Sequence, residues 1–243
     1  MKRVLFISLI ATSLVACEVE SRLASIDVVS SIDMYVGDKI VLEVSHSPVD
    51  ALVPEYRFNT SNRYVATVND LGAVVSNHVG NCTIMIATGD TRFSTYCVIN
   101  VKPKSELFCE PALDFGVTKA TVKVKEQNSV IADEIPAMLV YQGFEAPVMQ
   151  IAYQFDENQK LAASVVKLSA NVSSELKDFM NERYDLVPSA AASEYISVWR
   201  GNDMEIVTRI MDNACYAVYQ PYSGKSTVEH AISAIETVRN SSK

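Results

Sequence analysis

The chain contains 243 residues, a length that corresponds to one large domain or two ordinary ones. Hydrophobic residues make up 49% and charged residues 21%, a balance that excludes a disordered tail, a collagen-like chain and a coiled coil. The 29 acidic and 21 basic residues give a formal charge of -8, so no positive surplus is available for nucleic-acid phosphates. Five cysteines are too few for a disulfide-dense scaffold and too scattered for a zinc site.

The first residues have the pattern of a secretion signal. Met1-Lys2-Arg3 is a short basic start, and residues 4–16 form an apolar run. A helix that spans a bilayer needs about 20 residues, so this run is too short and instead fits a signal peptide over residues 1–16. The alternatives are an ordinary secretory leader with an incidental cysteine, or a short membrane anchor.

The apolar run ends in Leu14-Val15-Ala16-Cys17, which resembles the lipobox of bacterial lipoproteins. The resemblance implies cleavage before Cys17 and acylation of its thiol and new amine, with palmitate as one acyl group. Three acyl chains would hold the protein at a membrane, whereas a single chain binds only marginally. Residues 17–23 would then be the lipidated cysteine and its tether. Glu18 and Glu20 resemble the acidic residues that follow the cysteine in surface-exported lipoproteins, which favours the outer membrane or the cell surface.

Residues 24–103 have the pattern of an antiparallel β-sandwich. Short runs rich in Val, Ile and Tyr alternate with polar residues and are separated by turn signals such as Gly37-Asp38 and Asn69-Asp70-Leu71-Gly72. A hairpin is expected around Gly89-Asp90. About seven short strands in roughly 80 residues are typical of a sandwich.

Several motifs in this stretch resemble the bacterial immunoglobulin-like domain of group 2. They are Val36-Gly37-Asp38, Leu42, Phe58-Asn59-Thr60-Ser61-Asn62, Val65-Ala66-Thr67-Val68, Gly72 and Gly80-Asn81-Cys82-Thr83-Ile84. Phe58 stands where the family usually has Trp, which changes core volume but not architecture. The family occurs in surface adhesins and as a spacer module, so the resemblance implies a surface context without identifying a ligand.

The expected hairpin contains two cysteines that could form a disulfide. A two-residue loop at Gly89-Asp90 would place Cys82 opposite Cys97 in a hydrogen-bonded pair, with a Cα separation of about 5.5 Å that a disulfide tolerates. An oxidising envelope favours this disulfide, and two small buried thiols are the alternative. Cys109 and Cys215 have no partner that the sequence assigns.

After a boundary at residues 101–105, residues 106–243 predict an α+β domain. Strands are expected near 137–142, 149–155, 160–168, 194–200, 204–211 and 214–220. Helices are expected at 174–186 and after a capping box at 226–229. Corresponding elements are offset by about 55 residues, which predicts a tandem α-β-β-β repeat in one antiparallel sheet with helices on one face. In segment 117–126, the strict alternation of residues 121–125 favours a strand where the repeat requires a helix.

No motif for catalysis or for a cofactor emerges from the chain. Ser223-Gly224-Lys225-Ser226-Thr227 resembles a phosphate-binding loop, but Tyr219 stands where that loop needs its first glycine. The three histidines, His46, His78 and His230, lack metal-ligand spacing and are expected to be solvated at the surface. We therefore expect a protein that is not an enzyme and has no catalytic, metal-binding or cofactor-binding residues.

Four aromatic residues cluster near the end of the chain and form the candidate ligand platform: Trp199, Tyr216, Tyr219 and Tyr222. On adjacent strands they could stack on sugars or peptides. The alternative, which we favour, is that they pack into the core against the final helix.

Together these patterns predict a lipid-anchored envelope protein that acts as a non-enzymatic surface binding or adhesion-type module. Its partners would be the membrane, through the anchor, and a surface protein or glycan, but not nucleic acid. The α+β part is similar in outline to small lipoproteins of outer-membrane assembly and to β-lactamase inhibitor proteins. The alternative function is therefore an envelope assembly or inhibitor-like protein that clamps another protein with its C-terminal sheet.

Overall fold

The structure, a computed structural model, describes residues 21–241 except 53, 128, 144, 190–191, 202 and 225–227. The signal peptide, Cys17, Glu18, Glu20 and the helix cap at Ser226 lie outside the described residues. Among the helices in the described ranges, none is both long enough and apolar enough to cross a bilayer.

The N-terminal half of the chain is a β-sandwich, as predicted. Its strands are β1 (Ser25–Asp27), β2 (Ser31–Tyr35), β3 (Lys39–Val41), β4 (Ser45–Ser47), β5 (Tyr56–Thr60), β6 (Ala66–Val68), β7 (Ala73–Ser76), β8 (Gly80–Thr88) and β9 (Ser94–Lys102). One sheet has the order β2-β9-β8-β5, a second has the order β3-β7-β6, and β1 pairs with β4. The sandwich is not wholly antiparallel, because β2 pairs with β9 in parallel, which the long connection through β3 to β8 permits.

The sandwich core lies between the two larger sheets and explains two of the motif positions. Ile84, Ile86 and Ile99 are fully buried there. Gly72 adopts a φ of +75°, and a Cβ atom at this position would lie 2.9 Å from the Phe58 ring. Both the backbone conformation and the close approach of the aromatic ring therefore require glycine.

The hairpin register differs from the prediction and separates the two cysteines. Cys82 pairs with Ile99 and Cys97 pairs with Ile84, because the connecting loop spans four residues, 89–92, rather than two. Diagonal neighbours on a sheet are about 7–8 Å apart, beyond the usual reach of a disulfide. Of the two alternatives that the sequence left open, the structure has the two free and buried thiols rather than the Cys82–Cys97 disulfide.

Among its described residues, the C-terminal half contains one eight-stranded antiparallel sheet, three α-helices and a short 3₁₀-helix (Ala170–Val172). The elements are α1 (Lys119–Lys125), β10 (Ile131–Ile135), β11 (Met138–Gln142), β12 (Val148–Phe155), β13 (Leu161–Ser169), α2 (Ser173–Asn181), β14 (Asp185–Val187), β15 (Ile196–Arg200), β16 (Met204–Met211), β17 (Ala214–Pro221) and α3 (Val228–Ser241). The strand order is β10-β11-β12-β13-β17-β16-β15-β14.

This order consists of two four-strand meanders that join through their last strands, β13 and β17. A helix precedes each meander, so the repeat unit has one more strand than predicted. The additional strands, β10 and β14, are the outer edges of the sheet. Residues 121–125 belong to a helix rather than a strand, because the Thr118 side chain caps its first turn and only Val122 is buried.

Helices cover both faces of this sheet rather than the single face predicted. The final helix α3 packs on β13 and β17, where Val165 and Val218 join its buried stripe. On the opposite face, α2 contributes Phe179 and α1 contributes Val122 to two further clusters. The central strands are therefore buried on both sides, and seven of the eight residues of β17 are buried.

Candidate functional site

The candidate ligand platform does not form a surface, because three of its four aromatic side chains lie in the core, the alternative favoured from the sequence. Trp199, Tyr216 and Tyr219 have at most 1% of their surface exposed. Tyr216 packs on the α3 side of the sheet, whereas Trp199 and Tyr219 pack on the α2 side. Alternation along strands that are covered on both faces buries both sets of side chains. Only Tyr222, which follows β17, remains partly exposed, and the Arg200 guanidinium lies over its ring at 3.8 Å.

The sandwich and the eight-stranded sheet meet at a polar junction. The Tyr64 hydroxyl lies 3.0 Å from the Arg183 carbonyl oxygen and 3.2 Å from that of Arg200. The Tyr64 ring stacks on the His78 imidazole at 4.0 Å, and His78 Nε2 lies 3.3 Å from Asp185. Burial, with the Asp185 charge, raises the pKa of Tyr64, so its hydroxyl remains a donor. His78 is therefore a junction residue rather than the solvated surface histidine predicted.

The segment between the two halves is fastened to the end of α2. Glu182 accepts backbone hydrogen bonds from Lys104 at 2.9 Å and from Ser105 at 3.0 Å. The Arg183 guanidinium donates to the Ser105 carbonyl at 3.2 Å and lies 3.6 Å over the Phe179 ring. After these contacts, Leu107 and Phe108 pack, with Val148 of β12, against the cluster that contains Phe179.

A groove of about 850 Å³ lies beside this segment, and we call it the junction groove. It is lined by residues 106–110, by two residues that follow α1, and by residues between β11 and β12: Glu126, Ser129, Gly143, Glu145, Ala146 and Pro147. Val79 of the sandwich also lines it. The apolar part of the lining consists mainly of Leu107, Phe108, Tyr141, Pro147, Val148 and Ile151.

Two carboxylates of the groove are held by tyrosines of the sheet. The Tyr153 hydroxyl donates to Glu126, which also accepts from Ser129 Oγ at 3.0 Å. The Tyr184 hydroxyl donates to Glu110 at 2.7 Å. Burial, together with the neighbouring glutamate, raises the pKa of each tyrosine, so both remain protonated donors at physiological pH. Glu110 and Glu126 are thereby fixed in position along the groove.

The charge of the groove is strongly unbalanced. Its lining includes the four carboxylates of Glu106, Glu110, Glu126 and Glu145 but one guanidinium, that of Arg183. Glu106 and Glu145 are exposed. Among the described residues, neither forms an ion pair. The groove therefore combines an apolar lining with an excess of negative charge.

Cys109 lies in the wall of this groove and is exposed. The other described cysteines are buried, and burial raises the pKa of Cys82, Cys97 and Cys215. Among the described residues, no group of three or more His, Cys, Asp and Glu side chains is placed to hold a metal ion.

The groove was not predicted from the sequence. Its walls come from segments that are distant along the chain, and contacts such as those of Tyr184 with Glu110 and of Tyr153 with Glu126 bring them together. The one local signal was Glu106-Leu107-Phe108-Cys109-Glu110, an apolar pair framed by glutamates directly after the boundary between the two halves.

Comparisons with known proteins give only distant similarity. No family model and no curated protein matches the chain. Domains 4–9 of the surface layer protein SbsC align at 14% identity and a TM-score of 0.30, over 84% of this chain and 28% of that one. SbsC domains 5–6 align at 13% identity and a TM-score of 0.29, over 84% and 86%. An intimin mutant of EHEC O157:H7 aligns at 10% identity and a TM-score of 0.26, over 82% and 98%.

Proposed function

We propose that this chain is a lipid-anchored protein of the bacterial cell envelope that presents a non-enzymatic binding module at the cell surface. The anchor is supported by the basic start, the short apolar run and Leu14-Val15-Ala16-Cys17. In this proposal Cys17 is acylated and the following residues form a tether from the outer membrane.

The two halves of the chain have different roles in this proposal. The sandwich, as an immunoglobulin-like domain of group 2, sets the distance from the membrane. The C-terminal half, as an α+β domain, makes the contact. The observation that supports this division most strongly is the junction groove, in which Glu110 and Glu126 are held ready as acceptors beside an apolar lining.

The position of two carboxylates supports the proposal of a binding surface. Glu126 accepts hydrogen bonds from Tyr153 and Ser129, and Glu110 accepts one from Tyr184. Neighbouring hydroxyls hold these carboxylates in place and leave them lone pairs to accept further hydrogen bonds, which suits a fixed binding surface.

The clamp alternative needs an open face of the C-terminal sheet. Within the described residues, α3 covers one face of the central strands, and α1 and α2 cover the other. An inhibitor-like clamp through the sheet face is therefore not favoured, and we place the contact in the groove instead.

Metabolic labelling with a fatty-acid analogue tests the anchor. The native chain should be labelled, Cys17→Ala should not be, and Cys109→Ala should be labelled like the native chain. Protease treatment of intact cells should then degrade the chain. A Cys17→Ala chain that still incorporates the label, or a native chain that resists the protease until cells are broken, would contradict the proposal.

A panel of immobilised glycans and peptides tests the groove as the binding site. The mature chain should bind at least one member of the panel, and a bulky maleimide on Cys109 should abolish that binding. Cys109→Ala is the matched control, because it should bind with or without exposure to the maleimide. Binding that survives the modification of Cys109 would place the site elsewhere.

A further inference from the structure

We propose that the junction groove binds an extended basic polypeptide segment, in which lysine or arginine side chains alternate with apolar ones. This inference rests on the proposed function and deepens it by naming the class of ligand.

The negative charge of the groove favours a positively charged ligand. Four carboxylates face one guanidinium, so the formal charge of the lining is about -3. The Arg183 guanidinium is already used within the protein, since it donates to the carbonyls of Phe179 and Ser105 at 3.1 and 3.2 Å. Glu110 and Glu126 are held by tyrosine hydroxyls, and Glu106 and Glu145 are exposed at the rim. Phosphates and acidic segments would be repelled by such a site.

The apolar lining selects a chain that also has apolar side chains. Leu107, Phe108, Val148 and Ile151 are only partly buried, so each leaves apolar surface in the groove. Covering such surface removes it from water, which favours binding. A neutral sugar would satisfy neither the charge nor this surface.

An extended strand presents alternate side chains on opposite sides, which suits a groove with an apolar floor and an acidic rim. Apolar side chains would contact Phe108 and Ile151, while lysine or arginine side chains would reach Glu106 and Glu145. The methylene stems of those cations would cover apolar surface on the way to the rim. The groove volume of about 850 Å³ limits the contact to a short segment.

Fluorescence anisotropy with defined peptides tests the ligand class. The protein is the full mature chain with Cys17→Ser, so that no acyl chain is attached. The probes are three fluorescein-labelled hexapeptides of alternating lysine and valine, glutamate and valine, or lysine and serine. The lysine–valine peptide should bind, the lysine–serine peptide should bind several-fold more weakly, and the glutamate–valine peptide should not bind.

Matched variants locate the contact. The double variant Glu106→Gln/Glu145→Gln should weaken binding of the lysine–valine peptide about fivefold, as expected for two exposed charge pairs. The control Glu157→Gln/Glu194→Gln removes the same charge from two exposed positions outside the groove lining and should leave the affinity unchanged. The difference between the two double variants should shrink in 0.5 M salt, because exposed charges are then screened.

Three results would overturn this inference: no binding of the lysine–valine peptide, equal binding of the glutamate–valine peptide, or equal weakening by the two double variants. If the lysine–valine peptide fails while another ligand is displaced by alkylation of Cys109, the ligand class is wrong and the proposed function stands. If alkylation of Cys109 affects no ligand, the groove is not the binding site and the proposed function fails with it.

Discussion

The sandwich and the eight-stranded sheet bury their apolar residues in different ways. In β9 the side chains alternate, so that Cys97, Ile99 and Val101 are buried while Tyr96 and Val98 are exposed. In β17 the residues from position 214 to position 220 are all buried, because helices cover both faces of that sheet. The sandwich therefore has an exposed sheet face, whereas the central strands of the other sheet do not.

This difference bears on where each half can make contacts. The sandwich retains exposed strand faces, such as the one that carries Tyr96 and Val98. The central strands of the C-terminal sheet are committed to packing, so a ligand can approach only edges and loops. The junction groove is built from such loops and is positioned by the rigid sheet, which is the usual arrangement of binding residues on a scaffold.

The largest predicted effect is the difference in alkylation rate between the buried cysteines and the exposed Cys109. Cys97 of the sandwich and Cys215 of the sheet are fully buried, whereas Cys109 is exposed. A buried thiol reacts only after the surrounding structure opens, so its alkylation should be at least about a thousandfold slower than that of Cys109. Mass spectrometry of peptides from a timed reaction with iodoacetamide would measure this. In denaturant without reductant, both Cys82 and Cys97 should be alkylated. If they stay unmodified, they form a disulfide, which would contradict the free thiols of the structure.

Loss of the Phe179 ring should destabilise the C-terminal sheet by about 3–5 kcal/mol, because Phe179 is fully buried beneath Phe108 and Arg183. Trp199 is the single tryptophan and lies in the same cluster, so its fluorescence follows the unfolding of this half in urea. Phe179→Ala should therefore lower the midpoint of the Trp199 transition.

The matched change in the other half is Ile84→Ala, in the sandwich core. It should destabilise the sandwich by about 2–5 kcal/mol, measured by far-ultraviolet circular dichroism, and leave the Trp199 midpoint nearly unchanged. Equal shifts of the Trp199 midpoint in both variants would mean that the two halves unfold as one unit.

The junction between the halves should contribute less to the free energy of unfolding than either core does. Tyr64→Phe removes the hydroxyl that lies within hydrogen-bonding distance of the Arg183 and Arg200 carbonyl oxygens. The expected loss is about 0.5–1.5 kcal/mol, the usual net contribution of one hydrogen bond. It should appear as a lower Trp199 midpoint in urea, and Tyr96→Phe on the exposed sandwich face is the control. A variant with an unchanged midpoint would show that this contact does not couple the halves.

Much of the C-terminal sheet could be predicted because its strands are long and apolar. The expected strand at 149–155 corresponds to Val148–Phe155, and the one at 204–211 corresponds to Met204–Met211. The two edge strands were missed for physical reasons. All five residues of Ile131–Ile135 are exposed, so no alternation marks them, and Asp185–Val187 has only three residues.

The features that were not predicted share one cause. Local sequence does not determine which residue of another strand or segment lies opposite a given residue. Gly89-Asp90 is consistent with both a two-residue and a four-residue loop, and the choice decides whether Cys82 faces Cys97. The continuous apolar run of β17 was the one sign that the sheet is covered on both faces. The groove could not be predicted from local sequence, because the segments that line it are distant in the chain. Glu110 and Tyr184, for example, are 74 positions apart.

The smallest predicted effect concerns the same hairpin, where Asp90 organises the loop. The Thr88 hydroxyl, the Arg92 backbone N–H and the Arg92 guanidinium all donate to the Asp90 carboxylate and lower its pKa from 3.8 to about 2. Because the folded-state pKa is lowered, the stabilisation is complete above the unfolded value and is lost as the pH falls through about 2. The ¹³C shift of the carboxyl carbon should therefore titrate near pH 2, and Asp90→Asn should remove that signal. A midpoint near 3.8 would mean that the loop does not hold this carboxylate, and the register that separates the two cysteines would lose its support.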